Sequence, residues 1–126
     1  MSPLEKIDYF QLDFPWPLSD RDIYNHSVIS QNPITRQLTI ASEAVTSFAS
    51  KTDLVRVTDS PTQWHFYPKE NGDVFLEYYT APNPGGNIPD WMVNLVIDKG
   101  PTRSMLRLQE LVKAQKGKKH DIDWLK

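Results

Sequence analysis

Apolar and polar residues alternate through most of the first eighty positions, and the period changes only near position 90. Residues 5–14 (EKIDYFQLDF) predict a strand, stopped by Pro15-Trp16-Pro17 and a polar turn from Leu18 to Asp22. Residues 22–31 (DIYNHSVISQ), rich in Ile, Tyr and Val, predict a second strand. Asn32-Pro33 marks a turn, and Thr35 to Val45 alternates loosely, with Leu38, Ile40 and Ala44 on one face and Thr39 and Glu43 on the other. These two runs predict an antiparallel hairpin. Residues 46–53 (TSFASKTD) predict a loop in which Phe48 is the only large apolar residue. Leu54 to Thr58 predicts a short strand turned by Asp59-Ser60-Pro61. Thr62 to Tyr67 and Val74 to Thr80 predict the arms of a second hairpin around Lys69-Glu70-Asn71-Gly72-Asp73, whose Asn-Gly pair supplies the positive φ angles of a tight turn.

Beyond a punctuated loop at residues 81–87, Pro89 suits a first helical position and Asp90 favours a helix N-terminus. Trp91 to about Gln115 is the one long helical pattern, with Val93, Ile97, Leu108, Leu111 and Val112 on one stripe. Ile88, Trp91, Met92 and Leu95 give its first half a second apolar face, which should be covered by protein or by a ligand. Gly100-Pro101 predicts a kink or a restart. The Lys-rich tail, residues 116–126, is expected to fray. Strands followed by one long helix make the expected class α+β, an antiparallel sheet with a helix laid across it.

Composition narrows this reading. The length of 126 residues suits one domain or a piece of one. Ten prolines argue against an interior of long helices. The absence of cysteine removes disulfides, thiol nucleophiles and cysteine metal sites together. A net charge of −2 argues against nucleic acid as a partner. No apolar run approaches the roughly 20 residues of a membrane span. Met1 to Phe10 has no basic stretch followed by an apolar one, so no signal peptide is expected, and the cytoplasm is the default location.

Little in the chain points to catalysis. His26, His65 and His120 have no metal-site spacing, so neither a metal nor a cofactor is expected. No G-x-S-x-G, P-loop or G-x-G-x-x-G occurs. His65, between Trp64 and Phe66, reads as a wall residue. Glu77 shares a strand face with Phe75 and Tyr79, and reads first as a carboxylate on a solvated outward face or paired with Arg36 or Arg56, second as the polar anchor of a pocket. What stands out is material for an amphipathic wall: Trp64, Phe66, Phe75, Tyr78 and Tyr79 on the hairpin, Trp91 and Met92 opening the helix, and Asn25, His26 and Ser27 among apolar strand residues. The same residues fit a sheet covered on both faces without a cavity, and residue types alone leave both readings open.

Three segments carry a family resemblance. Phe14 to Ile23 (FPWPLSDRDI) resembles a START-family segment (steroidogenic acute regulatory protein-related lipid-transfer domains) in which an Arg-Asp pair opens a strand. Pro61 to Pro68 (PTQWHFYP) is similar to the family's W-x-x-x-P strand. Asn83 to Asn94 (NPGGNIPDWMVN) is similar to its D-P-G-G-x-I-P-x-W-L-x-N junction into the last helix, with Asn83 in place of the usual Asp. The likeness spans about residues 5–115, so residues 1–115 are expected to form the START-like domain and 116–126 a basic tail.

The resemblance implies a helix-grip fold of the START/Bet v1 type, in which a curved antiparallel sheet and a C-terminal helix enclose a lipid, without enzymatic activity. It covers about the second half of the family domain, so the N-terminal part of the family fold is expected to be missing. It implies a ligand wall of Trp64, Phe66 and Tyr78 from the strands and Trp91, Met92, Leu95 and Val96 from the helix, with Phe48 in a lid loop from about Val45 to Asp53. Expected partners are a lipid or other apolar small molecule and transient contact with a membrane. The alternatives are a cyclase- or hydrolase-like enzyme of the wider superfamily, using Glu77, His26 or His65, and a truncated domain that forms a homodimer through an open sheet edge, near strand 5–14 or a neighbour.

Overall fold

The computed structural model describes residues 4–14, 16–47, 53–83 and 88–117, without the side chains of residues 95–98. Its strands are β1 (Leu4–Leu12), β2 (Arg21–Gln31), β3 (Leu38–Ala44), β4 (Val55–Arg56), β5 (Thr62–Pro68) and β6 (Val74–Thr80). A helix follows, α1 (Asp90–Ala114). The chain divides into two compact units, the sheet and the segment that carries α1.

The sheet is open and has the order β1-β2-β3-β5-β6, with β4 against β2. Strand β2 organises it. One side of β2 is lined by β1 from Arg21 to Ile29. The other side is shared, with β3 antiparallel along Asn25 to Gln31 and β4 parallel at Arg21 and Asp22. Val45 N–H donates to Tyr24 O at 2.8 Å, and Val55 and Val57 N–H donate to Asp20 O and Asp22 O at 3.1 and 2.8 Å. The expected antiparallel pattern holds for β1–β2, β2–β3, β3–β5 and β5–β6, and is corrected at β4. Because β3 stops opposite Asn25, the chain around the start of β2 lacks backbone partners on that side, and Val55 in β4 and Val57 just beyond it supply them.

Two turns set the register. At Lys69–Asp73 only Gly72 takes a positive φ, of 90°. Asn71 instead uses its side chain, accepting from Asp73 N–H at 3.0 Å, so the loop is longer than a two-residue Asn-Gly hairpin. Between β2 and β3, Asn32 Oδ1 accepts from Ile34 and Thr35 N–H at 2.9 and 3.0 Å, and Arg36 takes a positive φ of 61°. The strand predicted from Thr35 therefore starts only at Leu38.

The helix differs from expectation at both landmarks. Pro89 caps it from outside with φ −60° and ψ 144°, and the first helical residue is Asp90. At Gly100-Pro101 no restart occurs, and Pro101 lies inside one continuous helix. A proline removes a single N–H rung, and the flanking turns carry the helix through. Met92 is 1% exposed, whereas Trp91, Leu106, Leu111 and Val112 are exposed. The apolar stripe is therefore not uniformly covered. No helix among the described residues is long and apolar enough to cross a membrane.

Among the described residues the buried apolar side chains are Ile23, Val57 and Met92, while Arg21, Asp22, Ser27, Gln31 and Ser42 are buried and polar. No buried side-chain nitrogen or oxygen in this set lacks a partner. A sheet that buries this much satisfied polarity is unlike a dry core.

Candidate functional site

The two-residue period sorts the sheet into two chemically different faces. On one face, register brings Leu4, Ile29, Ile40, Trp64 and Tyr78 into a cross-strand row. The neighbouring row is Gln31, Leu38, Phe66 and Leu76. The Trp64 ring stacks on Tyr78 at 4.2 Å and on Phe66 at 6.3 Å between centroids. Trp64, Phe66 and Tyr78 thus form one aromatic shelf. Trp91 and Met92 stand in the first turn of α1, where Trp91 is 62% exposed. The side chains of Leu95 and Val96, and the whole of Phe48, lie outside the described residues.

Beside the shelf runs a row of hydroxyls: Ser27, Ser42, Thr62 and Thr80 are successive cross-strand partners. Ser27 Oγ and Ser42 Oγ are 2.8 Å apart and buried, and Asn25 Nδ2 donates to Ser27 Oγ at 3.2 Å. Thr62 and Thr80 Oγ1 are 3.5 Å apart. A pocket of 420 Å³, lined by Pro61, Thr62, Gln63, Tyr79, Thr80 and Ala81, opens at the end of this row. Sequence reasoning singled out only Ser27 of the four. The shared signal, a small hydroxyl residue on each of four strands, emerges only once the register is known.

The opposite face carries two carboxylate clusters. Asp22, fully buried, accepts from Arg56 Nε and Nη2 at 2.6 and 3.1 Å and from Tyr9 O–H at 2.9 Å. Arg56 also lies 5.0 Å over the Tyr24 ring. The hydrogen bond to Asp22 holds its guanidinium above the ordinary range. Arg56 therefore does not pair with Glu77, as the sequence suggested, because β4 places it opposite Asp22. Glu77 accepts from Tyr79 and from Tyr67 instead, which holds its carboxyl below the usual carboxylate range and raises both phenols. His65 is half-buried on this same face, with Nε2 3.0 Å from Gln63 Oε1 and Nδ1 3.4 Å from both Gln37 Nε2 and Thr39 Oγ1. His26 Nε2 lies 3.4 Å from Glu5 Oε2. All three candidate acid–base groups, Glu77, His26 and His65, are on the face away from the aromatic shelf. Among the described residues no group of three or more His, Asp or Glu is placed to hold a metal ion.

The model of the START domain matches residues 2–116. The chain belongs to the START domain family. The phosphatidylcholine transfer proteins of mouse and cattle are each 27% identical to it over 116 residues, covering 87% of this chain and 52% of theirs. An uncharacterised protein of Pseudomonas aeruginosa is 25% identical over 101 residues, covering 80% of this chain and 50% of that one. The chain spans about half the length of these relatives. A solved STAR-related lipid transfer protein fragment from Xanthomonas axonopodis is 28% identical and superposes with a TM-score of 0.65 over 82% of this chain and 61% of that one. The α+β class and the START helix-grip assignment agree with this likeness, an open sheet followed by a C-terminal helix.

Proposed function

We propose that this START chain binds or transfers a lipid as a non-enzymatic module, using the shelf of Trp64, Phe66 and Tyr78 as its apolar wall. The observation that carries the reading is the stacked aromatic set with a row of hydroxyls beside it on one sheet face. Apolar burial at about 25 cal/mol per Å² would supply the affinity, and the hydroxyls would orient the polar end of the ligand. The relatives named as phosphatidylcholine or STAR-related lipid transfer proteins support this class of ligand. Trp91, Met92, Leu95 and Val96 of α1 are proposed as further ligand contacts, Phe48 as part of a lid, and contact with a membrane as transient.

Native mass spectrometry tests the reading. After incubation with phosphatidylcholine vesicles, or with a mixed-lipid extract, the protein is expected to carry one lipid, and Trp64→Ala to lose most of the adduct. Absence of any lipid adduct overturns the proposal. An enzyme of the wider superfamily is less well supported, since its candidate acid–base groups face away from the shelf. Self-association through a sheet edge is a second and independent reading, favoured by the exposed apolar side chains of β1.

A further inference from the structure

We infer that two copies of this chain pair antiparallel along β1, about a two-fold axis at Ile7. The inference rests on the self-association reading and supplies its edge and its register. Among the described residues β1 pairs with β2 on one side only and ends the strand order. It is nine residues long, contains no proline, and leaves Leu4, Ile7, Tyr9, Phe10 and Leu12 between 38% and 49% exposed. A long edge with apolar side chains on both faces is a template for another strand.

Charge selects the partner and the register. A two-fold axis normal to the sheet keeps each residue on its own face, so opposed positions must have an even sum. Centred on Ile7, the pairing sets Lys6 against Asp8 of the second copy, twice, and sets Ile7 against itself and Leu4 against Phe10. Within one copy Lys6 Nζ already lies 3.0 Å from Asp8 Oδ2, so both groups share a face. Centring on Lys6 or on Asp8 opposes like charges instead, which is destabilising. The other terminal strand, β6, offers no such match. Glu77 is its only charged residue, so no self-pairing of β6 sets opposite charges against each other.

The chain has no cysteine, so a single thiol reports the register. Directly opposed residues lie about 5 Å apart at Cβ, which suits a disulfide after small adjustment. Ile7→Cys is expected to cross-link into a dimer on mild oxidation. Glu5→Cys is not, because its two thiols would stand about 13 Å apart along the strands. Light scattering on a size-exclusion column should show the unaltered chain as a dimer. Lys6→Glu should weaken that dimer by about tenfold, and Lys6→Glu with Asp8→Lys should restore it. A strictly monomeric chain at every concentration defeats self-association itself. A dimer in which Ile7→Cys does not cross-link, or in which Glu5→Cys cross-links equally well, overturns the register alone.

Discussion

Asp22 and Glu77 lie on the same face of the sheet, and each accepts a hydrogen bond from a tyrosine hydroxyl. Their surroundings differ. Asp22 sits beside the junction of β2 and β4, 0% exposed, with two guanidinium N–H groups of Arg56 among its donors. Glu77 sits on the terminal strand β6 with Tyr67 and Tyr79 as donors and water within reach. The same functional group is a structural element in one place and a surface ornament in the other. The contrast teaches that a tyrosine donor alone does not decide what a carboxylate is worth to the fold; loss of water does.

The largest expected effect is at Asp22. Asp22→Ala removes a buried charge from its partner and should cost about 3–5 kcal/mol in urea unfolding. A loss near zero would place the two clusters in one class. Next come the two hydroxyl deletions. Tyr9→Phe should cost about 1–2 kcal/mol, because it strips a donor from a buried carboxylate. Tyr79→Phe, at a partly exposed site, should shift the unfolding midpoint far less. Equal losses for the two would break the contrast, and a double-mutant cycle of Tyr9 with Asp22 would sharpen it.

The smallest effect is in the pH dependence. Hydrogen bonds from Tyr79 and then Tyr67 lower the Glu77 pKa from an unfolded value of 4.5. Its contribution is therefore present above pH 4.5 and lost as pH falls through the folded value. Glu77→Gln should remove that contribution at neutral pH and flatten the acid limb of the stability profile, so that variant and parent converge as pH falls. Tyr67 and Tyr79 are raised above 10.0 by Glu77, so their contribution is full below pH 10.0 and fades as pH rises beyond it. A Glu77→Gln profile identical to the parent at pH 3–5, on this order of pH, would remove the cluster from the account.

Much of this was legible in the chain. Alternation and strand-forming residue types placed all six strands, β4 falling within Leu54 to Thr58, and proline and Asn-Gly punctuation placed their ends within a few residues. The choice of Trp64, Phe66 and Tyr78 rests on the family resemblance and their apolar character, and the register puts all three on one face, with Tyr78 opposite Trp64. The parallel pairing of β4 was not legible. Two residues carry no period, and their partner lies more than thirty positions upstream, as the Asp22–Arg56 separation of 34 records. That single long-range contact also decided which carboxylate Arg56 would meet. The hydroxyl row was hidden for the same reason, because Ser and Thr are unremarkable until register aligns them. At Pro101 the restart that the breaker allowed does not occur, because the turns around it carry the helix through.

The shared edge of β2 has a consequence for how this sheet tolerates change. The chain leaves β2 at Val45, tied to Tyr24 O, and returns at Val55, tied to Asp20 O. The two moorings, Asp20 just before β2 and Tyr24 within it, are four residues apart, so the length of the segment between them is decoupled from the register of the strands. Doubling a flexible connection costs only about 0.6 kcal/mol. Residues added between Val45 and Val55 would thus be a mild burden on the register of the sheet.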